Sequence, residues 1–142
     1  MRPGGLRVQN GGTYVCMEGP AFSTKAESRS YRQLGGDVIG MTSLGEAKLC
    51  REAEICYQAM AMVTDYDCWH ESEDAVTVEM IVGHLTANSS LAKEIVCAIL
   101  PAIPRTRACG CGSALQNAIF TRKEDVPSAV RKTLDPIIGK YM

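Results

Sequence analysis

Thr13-Tyr14-Val15-Cys16-Met17 and Asp37-Val38-Ile39-Gly40-Met41 are the stretches that decide the fold. Each is a short β-branched and apolar run set between turn residues, Gly11-Gly12 before the first and Glu18-Gly19-Pro20 after it, which is how a buried strand is punctuated. Between them Thr24-Lys25-Ala26-Glu27 fits a capping box, in which the Thr hydroxyl accepts from a helix N–H and Glu27 reaches back. A helix is expected from there to about Leu34, ended by Gly35-Gly36, where glycine readily takes positive φ. Two parallel strands then flank one helix.

Further along, Gly45 to about Cys56 reads as a second crossover helix, with Leu49, Ala53 and Cys56 on one face. Ala59-Met60-Ala61-Met62-Val63 reads as a third apolar strand that stops at the polar cluster Asp65-Tyr66-Asp67-Cys68-Trp69-His70. The pattern is βαβαβ, the signature of an α/β fold with a mostly parallel sheet. Ligands in such sheets bind beyond the carboxyl ends of the strands, so Phe22 to Thr24, Met41 to Ser43 and Asp65 to Asp67 are expected to cluster. Apolar residues from Val78 to Ile99 recur at three- and four-residue spacing, predicting a long helix packed on the sheet and stopped by Pro101 and Pro104. Another helix is expected from about Ser113 to Phe120, and a weaker one around Pro127 to Leu134.

Composition narrows the function classes. The 142 residues are 46% hydrophobic and 22% charged, as in a globular domain able to bury a core. Fifteen Lys and Arg against sixteen Asp and Glu leave a net charge of −1, which excludes the global attraction to polyphosphate that marks nucleic-acid binders. Apolar stretches such as Ile95 to Ile103 fall short of the ~20 residues of a membrane helix, so no membrane partner is expected. The start, Met1-Arg2-Pro3-Gly4-Gly5, lacks the apolar stretch of a secretory leader, and seven cysteines without small-scaffold spacing point to a reducing cytoplasm. A metal site could be drawn from His84, Cys97, Cys109 and Cys111, but Cys109-Gly110-Cys111 is tighter than the usual two-residue gap of zinc hooks. No metal is expected, only unpaired thiols.

The segment from Gly12 to Thr24 resembles the base-side segment of the trimeric purine nucleoside phosphorylases, and in detail the S-methyl-5′-thioadenosine phosphorylases. Ala26-Glu27-Ser28, Asp37 to Thr42, Glu46 to Leu49, Arg51 to Tyr57 and Ala61 to His70 extend the resemblance in order, nearly continuously to about Leu100. The resemblance implies a phosphorylase-type three-layer α/β/α fold with a mostly parallel or mixed sheet. Residues 1–142 would be the C-terminal, base- and ribose-binding part of a single domain, with the N-terminal half lacking. In some thermophilic relatives a similar C-x-C tail forms a disulfide; free thiols remain the expectation here.

The implied reaction is phosphorolysis of S-methyl-5′-thioadenosine to adenine and 5-methylthioribose 1-phosphate, within purine and methionine salvage. It uses inorganic phosphate as co-substrate and no metal or organic cofactor, in a homotrimer. Asp65 matches the family residue beside purine N7, where a protonated carboxyl would stabilise the departing base. Asp67 would raise the Asp65 pKa or accept from the 6-amino group, and Tyr66 between them joins the substrate-binding set. Phe22 would stack on the base and Ser23 would form a small polar wall. Met41 would lie against the ribose, Thr42 would donate to phosphate, and Val78 would meet the 5′-methylthio group. Related 6-oxopurine enzymes carry an Asn where Asp65 stands and a Glu where Ser23 stands, so the chain favours adenine.

Spacing alone supports blander roles. Asp65 and Asp67 are then solvated loop carboxylates, Phe22, Met41 and Val78 packing residues, and Ser23 and Thr42 turn or cap residues. The family's glycine-rich phosphate loop and Arg-His pair have no counterpart in these 142 residues. Two other functions therefore stand beside the phosphorylase reading: a truncated, non-catalytic nucleoside-binding remnant, and a 6-oxopurine nucleoside phosphorylase.

Overall fold

The computed structural model describes residues 8–70 and 77–142. The leader reading of Met1 to Gly5 lies outside them. The chain divides into two compact units, one running up to Ser43 and including Met60–Pro101, the other made of Leu44–Ala59 and Ala102–Met142.

In the first unit, β1 (Tyr14–Cys16) pairs in parallel with β2 (Val38–Gly40), in the register Tyr14 with Val38, Val15 with Ile39 and Cys16 with Gly40. Thr13 locks the entry of the ladder: its N–H donates to Asp37 Oδ2 at 2.6 Å, and its carbonyl accepts from the Asp37 N–H at 2.9 Å. The crossover is α1 (Lys25–Gln33). Its capping box is present, with the Glu27 N–H donating to Thr24 Oγ1 at 3.3 Å and the Thr24 N–H to Glu27 Oε2 at 2.7 Å. These Thr24 bonds, the backbone one foremost, hold the Glu27 carboxyl below its usual range. The helix ends where Gly35 takes φ 81.

The third strand expected over Ala59–Val63 does not form. A strand needs a neighbour to complete its ladder, and among the described residues the sheet holds β1 and β2 alone. The Val63 carbonyl accepts instead from Asn88 Nδ2 at 3.0 Å. That amide belongs to α3 (Val78–Ile99), whose N-cap Thr77 accepts from the Met80 N–H at 3.3 Å. This helix runs about 33 Å at the α-helical rise, far more than two three-residue strands can cover. Val78, Val82 and Leu85 are accordingly exposed, whereas Leu91, Ala92 and Ile95 are half-buried. Val96 and Ile99 are exposed again at the far end, so the expected packing of the whole stripe on the sheet is not met. No hydrophobic side chain among the described residues is fully buried.

In the second unit, α2 (Ser43–Glu52) starts earlier and ends sooner than its pattern suggested, because Glu54 turns the chain with φ 55. The helix expected over Ser113–Phe120 is a 3-10 turn, Gly110–Ser113, followed by further turns. The segment is too short to recover the cost of helix nucleation by propagation. By contrast α4 (Ser128–Ile138) outruns its expected end at Leu134 and carries Pro136 inside it. Proline forfeits one helical hydrogen bond, which half-burial of Ile137 and Ile138 offsets.

Candidate functional site

Three of the expected loops meet in the first unit. Gly19, at φ 70, leaves room for Met41: a Cβ at that position would sit 2.8 Å from the Met41 sulfur. Met41, just past β2, is thereby laid against the loop that follows β1. Ser23 Oγ points at the Met17 sulfur at 3.5 Å, and the Ser23 carbonyl accepts from the Cys68 thiol at 3.3 Å. That last bond joins segments 45 residues apart and brings the Asp65–Asp67 loop to the Phe22–Ser23 loop.

The acidic loop is stiffened by its own backbone. Asp65 Oδ1 accepts from the Tyr66 N–H at 2.7 Å and Asp67 Oδ1 from the Cys68 N–H at 2.9 Å, while the His70 N–H closes a turn on the Asp67 carbonyl at 3.1 Å. Asp65 is exposed and Asp67 half-buried. Tyr66 stacks on His70 at 4.4 Å and meets Trp69 edge-on at 5.8 Å. Arg32 of α1 lies over the Trp69 ring at 3.7 Å, a cation–π contact that ties the loop to the crossover helix. Neither Arg32 nor Trp69 is among the expected site residues; a basic residue in the last turn of α1 was the available signal.

Thr42 lies at the carboxyl end of β2, immediately before α2, and is exposed. Phe22 is 87% exposed, and Val78 opens α3 with 71% exposure. None of the bonds that assemble the cluster runs through these three. The bonds and contacts thus bring the Asp65–Asp67 loop to Ser23 and lay Met41 beside Gly19, while Phe22, Thr42 and Val78 stand exposed outside that set.

The second unit holds two clusters that spacing did not predict. Buried Glu54 accepts at Oε1 from Tyr141 Oη at 2.5 Å and from the Leu115 N–H at 3.1 Å, and its Oε2 pairs with Lys140. Its carbonyl accepts from Arg107 at 2.7 Å. Burial opposes ionisation of Glu54, but the Lys140, Tyr141 and Leu115 donors prevail and hold its pKa at about 2. Beside it, the sulfurs of Cys56, Cys109 and Cys111 lie within 4.8 Å of one another, Cys56 and Cys109 only 3.4 Å apart. The Cys111 N–H, then the thiols of Cys56 and Cys111, lower the Cys109 pKa to about 7; the bond to Cys109 raises that of Cys111.

The profile of the Phosphorylase superfamily matches residues 2–101, and the chain belongs to that superfamily. Within it, the chain is 59% identical over 137 residues to an S-methyl-5′-thioadenosine phosphorylase of Koribacter versatilis, covering 96% of this chain and 47% of that protein. It is 54% identical over 138 residues to the enzyme of that name from Geobacter sulfurreducens, covering 97% and 48%. Among solved structures, a methylthioadenosine phosphorylase from an antarctic soil metagenomic library superposes with a TM-score of 0.76 at 41% identity, over 89% of this chain and 44% of that one. A doubly substituted adenosine/methylthioadenosine phosphorylase from Schistosoma mansoni in complex with adenine gives 0.62 at 31% identity, over 80% and 40%. The chain spans about half the length of the curated relatives it matches. No helix among the described residues is long and apolar enough to cross a membrane.

Proposed function

We propose that residues 1–142 form the base- and ribose-binding part of one nucleoside phosphorylase domain, and that the whole protein converts S-methyl-5′-thioadenosine and inorganic phosphate to adenine and 5-methylthioribose 1-phosphate. The observation that supports this most is the Cys68 to Ser23 bond, which draws the Asp65–Asp67 loop onto the Phe22–Ser23 loop. In this reading phosphate oxygen attacks the ribose C1′ as the N-glycosidic bond breaks, and its electron pair passes to the purine. Asp65 faces N7, where a proton relayed through its carboxyl as that charge develops lowers the barrier only in the transition state. Asp67 accepts from the 6-amino group, Phe22 and Tyr66 flank the ring, and Ser23 excludes bulkier 6-substituents. Met41 supports the ribose, Val78 contacts the methylthio group, and Thr42 supplies one phosphate donor. The enzyme is a cytoplasmic homotrimer of purine and methionine salvage that needs no organic cofactor, its trimeric state being open to sedimentation.

The test is release of adenine from S-methyl-5′-thioadenosine, with and without phosphate, by the chain alone and by the chain mixed with the upstream half of the Koribacter versatilis relative. Phosphate-dependent release in the mixture is expected, with Asp65→Asn slowing turnover by about 10²–10³-fold, because an amide cannot relay a proton to N7. Comparable release of hypoxanthine from inosine, or an undiminished rate in Asp65→Asn, would contradict the reading.

A further inference from the structure

The thiol cluster of the second unit lies outside the chemistry above and points to a different ligand. Cys109 caps the 3-10 turn Gly110–Ser113 in an extended conformation, φ −112 and ψ 164. The chain then tightens into the turn, so Cys109 and Cys111 present sulfurs to one side, and the third thiol comes from Cys56, 53 residues upstream of Cys109. The single-residue gap that argues against a sequence-local zinc hook therefore does not apply: the third donor is supplied by tertiary structure.

Two anchors hold the segments together without help from the thiols. Arg107 donates to the Glu54 carbonyl at 2.7 Å, and the Leu115 N–H donates to the Glu54 carboxylate at 3.1 Å. Both segments flanking the C-x-C pair are thus tied to a residue two positions from Cys56, so the cluster is preorganised by bonds that involve no sulfur.

We propose that Cys56, Cys109 and Cys111 form a three-thiolate site for one soft, thiophilic metal ion of the Zn²⁺ class. Zinc–thiolate bonds of about 2.3 Å in a tetrahedron put sulfurs about 3.8 Å apart. The observed spread, 3.4 Å for one pair and at most 4.8 Å for the others, needs a closure of about 1 Å. Cys56 and Cys109 are exposed, so rotation of their side chains supplies it and leaves the ion an open approach. Binding displaces three thiol protons to solvent, forms three metal–sulfur bonds and leaves the fourth position to water, with no change of oxidation state. Soft thiolate donors select Zn²⁺ over the harder Mg²⁺ or Ca²⁺.

The test uses the reduced 142-residue chain and Zn²⁺ itself, with Cd²⁺ as an optical probe through its thiolate charge-transfer absorption. One ion per chain is expected, and Zn²⁺ should protect Cys56, Cys109 and Cys111 from alkylation, mapped by mass spectrometry, while exposed Cys97 reacts as before. Cys56→Ser, Cys109→Ser and Cys111→Ser should each weaken binding by more than about tenfold, and Cys97→Ser should not. Should a serine variant fail to fold, the protection map of the unmodified chain decides alone. Equal protection of Cys97, absence of protection, or affinity indifferent to the three substitutions would overturn the site. None of these outcomes bears on adenine release, so this proposal and the catalytic one fail separately.

Discussion

Two helices of this chain end in the same motif by opposite means. After α1, the Gly36 N–H reaches the Tyr31 carbonyl at 2.9 Å and the Gly35 N–H the Arg32 carbonyl at 3.0 Å; after α2, the Ile55 N–H reaches Cys50 at 2.8 Å and the Glu54 N–H reaches Arg51 at 3.1 Å. Both are Schellman closures whose turning residue has positive φ, 81 at Gly35 and 55 at Glu54. Glycine adopts that conformation without a Cβ penalty, whereas glutamate has to be held there. The holders are Lys140, Tyr141, Leu115 and Arg107, all far along the chain. One closure is local and written in two adjacent glycines; the other exists only once the carboxyl-terminal tail has docked.

Substitutions at position 54 should break the comparison most severely. Glu54→Ala removes the carboxylate yet keeps the positive-φ strain, leaving Tyr141, Lys140 and the Leu115 N–H without their acceptor, and should give the largest fall in melting temperature. Glu54→Gly relieves the backbone and should recover part of that loss. Equal melting temperatures for the two variants would show that the backbone conformation is not under strain.

Acid should separate the two helix ends next. The folded Glu54 pKa of about 2 lies below its ordinary 4.5, so its contribution is complete above pH 4.5 and fades as pH falls from 4.5 towards 2. The protection factor of the Ile55 amide should therefore fall over that window in the parent chain, and Glu54→Gln should flatten the profile. Gly35→Ala should have the smallest effect, about 1–2 kcal/mol, because a Cβ there meets nothing within 4 Å and only the backbone term remains. Urea melts of the variant measure it.

The same contrast governs what could be read from sequence. The first unit was legible where residues act on near neighbours: Thr24 with Glu27, Gly35-Gly36, and the two β-branched runs that pair in parallel. The region over Ala59–Val63 has the composition of a strand but no ladder partner among the described residues, and composition cannot supply one. Glu54 reads as one more acidic residue on a helix, since its role depends on Lys140 and Tyr141, more than 80 residues away. Cys56 reads as part of a helix face, since its thiol partners Cys109 and Cys111 lie more than 50 residues away. At the candidate site, family resemblance pointed to Asp65, Asp67 and Ser23, whereas Arg32 over Trp69 became visible only in three dimensions.

The central claim is that the Asp65–Asp67 loop receives a purine. A crystal structure of the protein soaked with adenine tests it most directly. An Asp65 oxygen is expected within about 2.6–3.2 Å of N7, the range for proton donation, with Asp67 facing the 6-amino group and Phe22 against the ring. A ring bound elsewhere, with both carboxylates left in bulk water, would contradict it.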